Sequence, residues 1–235
     1  MASCRPCSTI RATAPCSVPA EERSVSIDSA DLKRMFDAIA VAIEADKDRL
    51  CQLDGVIGDA DHGIAMALGF NAVRDALAPL DLTATEPTAL LNMAAKSFLN
   101  AVGASSGPLY ATAFMRAAAA VKGKTTLADA DVVALFQAMA QGIRDRGKAE
   151  IGEKTMIDAW LPAAEAAGAS NAAGKGLAES LDAAVNAARR GAEATKDMIA
   201  VKGRSSRLGE RSLGHIDPGA ASAVTVIEAL RDNLA

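Results

Sequence analysis

An all-α fold is predicted by three observations. Half of the residues are apolar, with alanine prominent among them, and only 3% are aromatic. No segment alternates apolar and polar residues with period two. Apolar residues instead recur three and four apart along most of the chain, which is the helical period. Ala-rich, aromatic-poor composition favours closely packed helices. The expected architecture is eight antiparallel helices joined by loops.

Each helix can be marked by period and punctuation. The first runs from about Ser29 to Gln52, with Leu32, Met35, Phe36, Ile39, Ile43 and Leu50 on one face. The second follows an acidic stretch and carries Met66, Phe70, Val73 and Leu77. The third opens near Thr85, a suitable N-cap, and carries Leu90, Leu91, Ala94, Phe98 and Val102. Gly107-Pro108 opens the fourth, which ends near Gly123. Thr126 caps the fifth, which runs to about Gly147. Lys154 begins the sixth, with Met156, Trp160 and Leu161, and Pro162 either kinks it or marks its first turn. The seventh spans Leu177 to Val201. The eighth begins at Pro218, a residue favoured at the first helical position, and ends near Leu234.

The chain has 235 residues and a net charge of −4, enough for one domain with a sizeable core. No basic stripe with interleaved aromatics appears, which argues against nucleic-acid binding. No apolar run approaches the roughly 18 residues that cross a bilayer. Residues 1–24 differ from the rest: they hold Arg5, Arg11 and Arg23, three prolines and no acid before Glu21. They read as a tail outside a domain of residues 25–235, with an organellar targeting segment as the alternative. Cys4, Cys7, Cys16 and Cys51 lack the second pair that a zinc site needs, so reduced thiols in the cytoplasm are expected.

Four loops carry the chemistry. The first is Leu53-Asp54-Gly55-Val56-Ile57-Gly58-Asp59-Ala60-Asp61-His62-Gly63. At about 5 Å and an effective dielectric near 20, each pair of these carboxylates costs roughly 3 kcal/mol. No Lys or Arg lies between Arg49 and Arg74. A bound divalent metal offsets such repulsion, and oxygen-only ligands point to Mg²⁺. His62-Gly63 then leads into a helix, whose free N–H groups favour phosphate. An acidic N-cap on a solvated face is the plain alternative.

The second loop, Val102-Gly103-Ala104-Ser105-Ser106-Gly107-Pro108-Leu109, suits phosphate contacts but is no Walker motif, and taken alone it reads as a helix linker. In the third, Arg146 to Met156, charges of both signs interleave with glycines, as in any solvated loop. The fourth, Gly203 to Gly219, is long and holds Arg204, Arg207 and Arg211. Long Gly-rich loops in compact domains are often binding loops, and arginine suits phosphoryl transfer. Both histidines, His62 and His215, lie in these loops.

Together and in this order, the four loops resemble the nucleotide-binding L subunit of dihydroxyacetone kinases, over about residues 29–235. The resemblance implies an eight-helix antiparallel barrel holding a nucleotide, ADP or ATP, and two Mg²⁺ ions at one end. It implies that Asp54, Asp59 and Asp61 hold the metals. It places His62, Gly63, Ile64, Ala65, Ser105, Ser106, Gly147, Met156, Arg204, Asp217, Pro218 and Gly219 against the nucleotide. Met156 would pack on the base, and Arg204 would reach phosphate as the catalytic arginine. The family's sugar is held by a separate K subunit, covalently through a histidine.

One version of the family uses ATP. In the other, resident ADP is rephosphorylated by a phosphohistidine protein of the phosphoenolpyruvate-dependent phosphotransferase system. His62 and the free-standing L unit favour the second version. A homodimer is a further possible assembly. Ala65 stands where the family often has Asn, and Gly103 to Gly107 departs from the usual Gly-Gly-Ala-Ser-Gly. Rival readings are an ATP-dependent kinase for another ketose such as erythrulose, a non-catalytic nucleotide-binding regulator, and an all-α Mg²⁺ enzyme acting on diphosphates.

Overall fold

The computed structural model describes Met1, residues 26–103 and residues 106–235. The expected tail apart from Met1, with Cys4, Cys7 and Cys16, and Ser105 lie outside the described residues. Among those residues are eight α-helices: α1 (Ser29–Ile57), α2 (His62–Leu77), α3 (Pro87–Ala101), α4 (Ser106–Ala120), α5 (Asp129–Gly147), α6 (Ile157–Ala172), α7 (Leu177–Ala194) and α8 (Pro218–Leu234). Two 3₁₀ segments, Thr195–Asp197 and Arg204–Ser212, lie between α7 and α8. Each helix packs on the next, and α8 returns to α1, closing the barrel. The expected all-α barrel is the fold observed.

Up-and-down order brings every second connection to the same pole. The loops α1–α2, α3–α4, α5–α6 and α7–α8 are the four singled out by their residues, and they share one end. At the other pole the backbones of Ile27 and Leu127 exchange two hydrogen bonds, of 2.9 and 2.7 Å.

The interior explains the sparse aromatics. All seven aromatic side chains are buried and form one continuous cluster: Phe36, Phe70, Phe98, Tyr110, Phe114, Phe136 and Trp160. Ring centroids lie 5.1–6.3 Å apart, many edge to face. Such pairs add about 0.5–1.5 kcal/mol each beyond area burial. Alanine and glycine line the helix contacts: a Cβ on Gly69 would lie 2.4 Å from the Phe98 ring.

Several boundaries differ from expectation, each for a local reason. α1 continues past Gln52 to Ile57, so Asp54 sits on a helix rather than in the loop. Gly55 costs about 1 kcal/mol there. Burial of Ile57, 1% exposed, extends the apolar stripe and outweighs it. α3 starts at Pro87 rather than Thr85, because the residue before proline is held extended. Thr85 instead donates to the Asp81 carbonyl. α5 opens at Asp129, since the Ile27 bridge keeps Leu127 extended. α6 opens at Ile157, not Lys154, whose φ of 58° is left-handed. α7 ends at Ala194, before the 3₁₀ turn and short of the expected Val201. Pro162 lies inside α6, where its ring deprives the Asp158 carbonyl of its usual donor. Gly191 of α7 packs against that carbonyl; a Cβ there would be 1.9 Å away.

Candidate functional site

The shared pole holds a cleft of about 400 Å³. Asp54, Asp59, Asp61, His62, Ser106, Gly147, Met156, Arg204, Asp217, Pro218 and Gly219 all line it. Gly63, Ile64 and Ala65 do not. Gly63 is pressed into α1, where a Cβ would lie 2.0 Å from the Lys47 carbonyl. Ile64 is exposed on the outer surface, and Ala65 packs against the core.

Asp54 is buried in the last turn of α1 and reaches across to α2. Its Oδ2 accepts the backbone N–H groups of Asp61 (3.0 Å) and His62 (3.3 Å). It thus caps α2 from outside that helix and adds a negative charge at its N-terminus. Gly58 makes room for its other oxygen: a Cβ there would be 2.2 Å from Oδ1. Ala60, at φ 63°, turns the chain between Asp59 and Asp61. As a result one oxygen of each of Asp54, Asp59 and Asp61 lies within 4.8 Å of the others. Three convergent oxygens with no nitrogen or sulfur suit a hard divalent cation.

Arg204 supplies a cation from the α7–α8 segment. It pairs with Asp59 and, at 3.2 Å, with Asp61. The positive partner missing from residues 50–73 therefore comes from far along the chain. Arg207, Arg211 and the His215 ring do not line the cleft.

His62 opens α2 and turns inward, and its Nε2 lies 2.9 Å from the Ser222 hydroxyl. Ser222 donates to the Gly219 carbonyl, so both bonds are satisfied when His62 donates from Nε2. Burial lowers the His62 pKa, and the nearby Asp54 partly opposes this. Asp217 caps α8 by accepting from Ala220 N–H, while its own N–H donates to Thr195 Oγ1. Burial pushes the Asp217 carboxyl up to about 7.

The opposite wall is apolar: Leu109, Ile143, Ala149, Met156 and Ile157. Most of these were not expected, because in sequence they look like ordinary core positions. Lys154 was also missed, since a lysine in a mixed-charge loop reads as solvated. It is 1% exposed, and its ammonium donates to the carbonyls of Thr195 and His215. The cleft thus pairs a charged half with an apolar half, as a ligand with a planar apolar moiety and a polyanionic tail requires.

A closed helical barrel with an acidic, arginine-bridged cleft at one pole is a candidate site for a divalent cation and a phosphorylated ligand. Residues 56–232 match the DAK2 domain family. The chain is 38% identical over 208 residues to the "PEP-dependent dihydroxyacetone kinase 2, ADP-binding subunit DhaL" of Listeria innocua, covering 88% of this chain and 96% of that protein. It is 40% identical to the corresponding ADP-binding subunit of Escherichia coli, over 77% and 85% of the two chains. It also matches a D-erythrulose kinase of Mycolicibacterium smegmatis at 34% identity, covering 85% of this chain but 34% of that enzyme. The structure of the dihydroxyacetone kinase from C. freundii in complex with AMP-PNP and Mg²⁺ shares the fold, with TM-score 0.67 and 24% identity, over 97% of this chain and 38% of that one. The chain belongs to the DAK2 domain family, among the L-type subunits of dihydroxyacetone kinases, which are phosphotransferases. Among the described residues, no helix is long and apolar enough to cross a membrane.

Proposed function

We propose that this chain binds ADP or ATP in the cleft and delivers its terminal phosphoryl group to dihydroxyacetone or a similar short ketose held on a separate K-type subunit. The observation that carries this reading is the convergence of Asp54, Asp59 and Asp61 opposite an apolar wall, in one cleft. The names of the most similar relatives support it, and they favour the version with resident ADP reloaded by a phosphohistidine carrier of the phosphotransferase system.

Asp54, Asp59 and Asp61 would hold two Mg²⁺ ions, which when bound would neutralise phosphate charge. The chain's own residues do the rest. Asp54 is fixed by two backbone N–H groups and lines the cleft. Ile143, Met156 and Ile157 form the apolar wall for the base. Arg204 moves from the carboxylates to phosphate, adding charge stabilisation where negative charge develops. Met156 and Gly219 lie close together, which keeps that part of the cleft narrow. No nucleophile is needed on this chain, because the acceptor hydroxyl belongs to the sugar.

The test combines the full chain with a K-type subunit, dihydroxyacetone and either ATP or a phosphohistidine donor. Phosphorylated sugar is expected with one of the two. No transfer with either donor overturns the kinase reading. Mass spectrometry of co-purified nucleotide distinguishes the versions: bound ADP that survives gel filtration supports the resident form, and freely exchanging ATP refutes it.

A further inference from the structure

Lys154 lines the cleft, yet its ammonium is taken up by backbone carbonyls. The side chain is 1% exposed, and the ammonium donates to two backbone carbonyls at 2.5 Å each, those of Thr195 and His215. Those residues bracket the whole segment that joins α7 to α8. Thr195 begins the 3₁₀ turn after α7, and His215 lies just before the Asp217 cap of α8. An ammonium has three donors and no acceptor, so one group can tie together two carbonyls from distant parts of the chain.

The base of the segment is sewn by further bonds. Gly214 N–H donates to the Lys196 carbonyl (2.8 Å), and Asp217 N–H to Thr195 Oγ1 (2.9 Å). Ala200 N–H donates to Ser212 Oγ (3.0 Å). The far part of the segment carries Arg204, which is held over the cleft by Asp59 and Asp61.

The backbone at Lys154 is a second, independent observation. Its φ is 58°, a conformation that glycine adopts without strain and lysine does not. Asp158 enforces the turn, accepting from Gly152 N–H (2.6 Å) and Thr155 N–H (2.8 Å). A lysine at a position suited to glycine calls for a use of its side chain, and the two carbonyls supply it.

We propose that Lys154 is a positioning residue that clamps the two ends of the α7–α8 segment and thereby sets Arg204 over the cleft. It acts through the backbone of the segment and makes no phosphate contact. Its consequence for nucleotide retention rests on the reading of the cleft given above; its effect on the segment does not.

The test is Lys154→Met in the full chain, read by hydrogen exchange without nucleotide and by ADP dissociation with Mg²⁺. Amides of residues 198–214 are expected to exchange at least tenfold faster, with those of α1 to α4 unchanged. ADP should leave faster by a similar factor. Arg204→Ala is the contrast: it should speed ADP release yet leave the Gly214 and Asp217 amides as protected as before. Unchanged exchange in 198–214 overturns the clamp, whether or not ADP release changes; faster release alone would make Lys154 a phosphate ligand. A wild-type chain that fails to bind ADP overturns the nucleotide reading, while the exchange measurement still decides the clamp. Should Lys154→Met not fold, the wild type answers. Acetylation of Lys154 should then proceed at the rate of segment opening and be insensitive to low denaturant. Labelling only through global unfolding overturns the proposal.

Discussion

If Asp54, Asp59 and Asp61 hold a divalent cation as proposed, Arg204 competes with it for the same carboxylates, and the effect of removing Arg204 changes sign with nucleotide. Without nucleotide, Arg204 pairs with Asp59 and Asp61, and all these side chains are about half exposed. Two such exposed pairs are worth about 0.2–1 kcal/mol each. A metal entering the site has to break both. Arg204→Ala should therefore bind Mn²⁺ more tightly than wild type, by about 1 kcal/mol or roughly fivefold. The three carboxylates, within 4.8 Å of each other, then lack their cation. Their mutual repulsion, about 3 kcal/mol per pair before solvent screening, adds to the pull on the metal. With ADP present the direction reverses. A charge-assisted bond from Arg204 to phosphate is worth about 1.5–3 kcal/mol, so the variant should hold ADP roughly ten- to a hundredfold more weakly. Titration of Mn²⁺ followed by electron paramagnetic resonance gives the first number, and calorimetry with Mg-ADP gives the second. The metal effect should shrink in high salt. An Arg204→Ala variant that binds Mn²⁺ no tighter than wild type without nucleotide would refute the competition.

Three further outcomes are expected. Gly58→Ala places a Cβ 2.2 Å from Asp54 Oδ1 and displaces that carboxylate; Mn²⁺ affinity should fall about tenfold or more with helix content unchanged. Wild-type metal affinity in that variant would show that Asp54 is no ligand. Asp217→Asn keeps an acceptor for the α8 cap but removes a buried acid whose pKa is about 7 in the fold and 3.8 by default. Because the folded value is raised, this group's contribution is complete below about pH 4 and lost as pH rises through 7. Unfolding free energies of the Asn variant from urea titrations should gain on wild type between those values, by up to about 4 kcal/mol; parallel pH profiles would contradict this. Gly69→Ala drives a Cβ to 2.4 Å from the Phe98 ring. It should destabilise by about 1–3 kcal/mol in chemical denaturation while leaving nucleotide binding intact, and a neutral effect would mean the barrel can widen there.

The helices and the shared pole were legible because period and punctuation report burial directly. Leu90, Leu91, Ala94 and Phe98 repeat as a helix face and are all buried. Once the order is up-and-down, alternate loops must meet, and four loops rich in Gly, Ser, Asp and Arg did. What was not legible depends on partners distant in sequence. Asp54 looked like a loop residue because only the burial of Ile57 extends its helix. Lys154 looked solvated because its acceptors are carbonyls of residues 195 and 215. The packing of Gly63 on α1 was not legible, since nothing in its neighbours signals the Lys47 carbonyl beside it. Ile143 and Leu109 are written as core residues, and they become cleft wall only because the barrel is open at that pole.

The closed pole has a consequence for how this domain can be joined to others. α1 begins there and runs 29 residues to the acidic loop, and α8 starts at the cleft and ends back at the same pole. At 1.5 Å per residue, α1 spans about 43 Å. A chain attached before Ile27 therefore emerges some 40 Å from the aspartates, and one attached after Leu234 about 25 Å from the cleft, the length of the 17-residue α8. Attachment leaves the cleft mouth unobstructed, so the same barrel can work as a free subunit or as a module. The two kinds of relative fit that geometry, one nearly the length of this domain and one about three times as long.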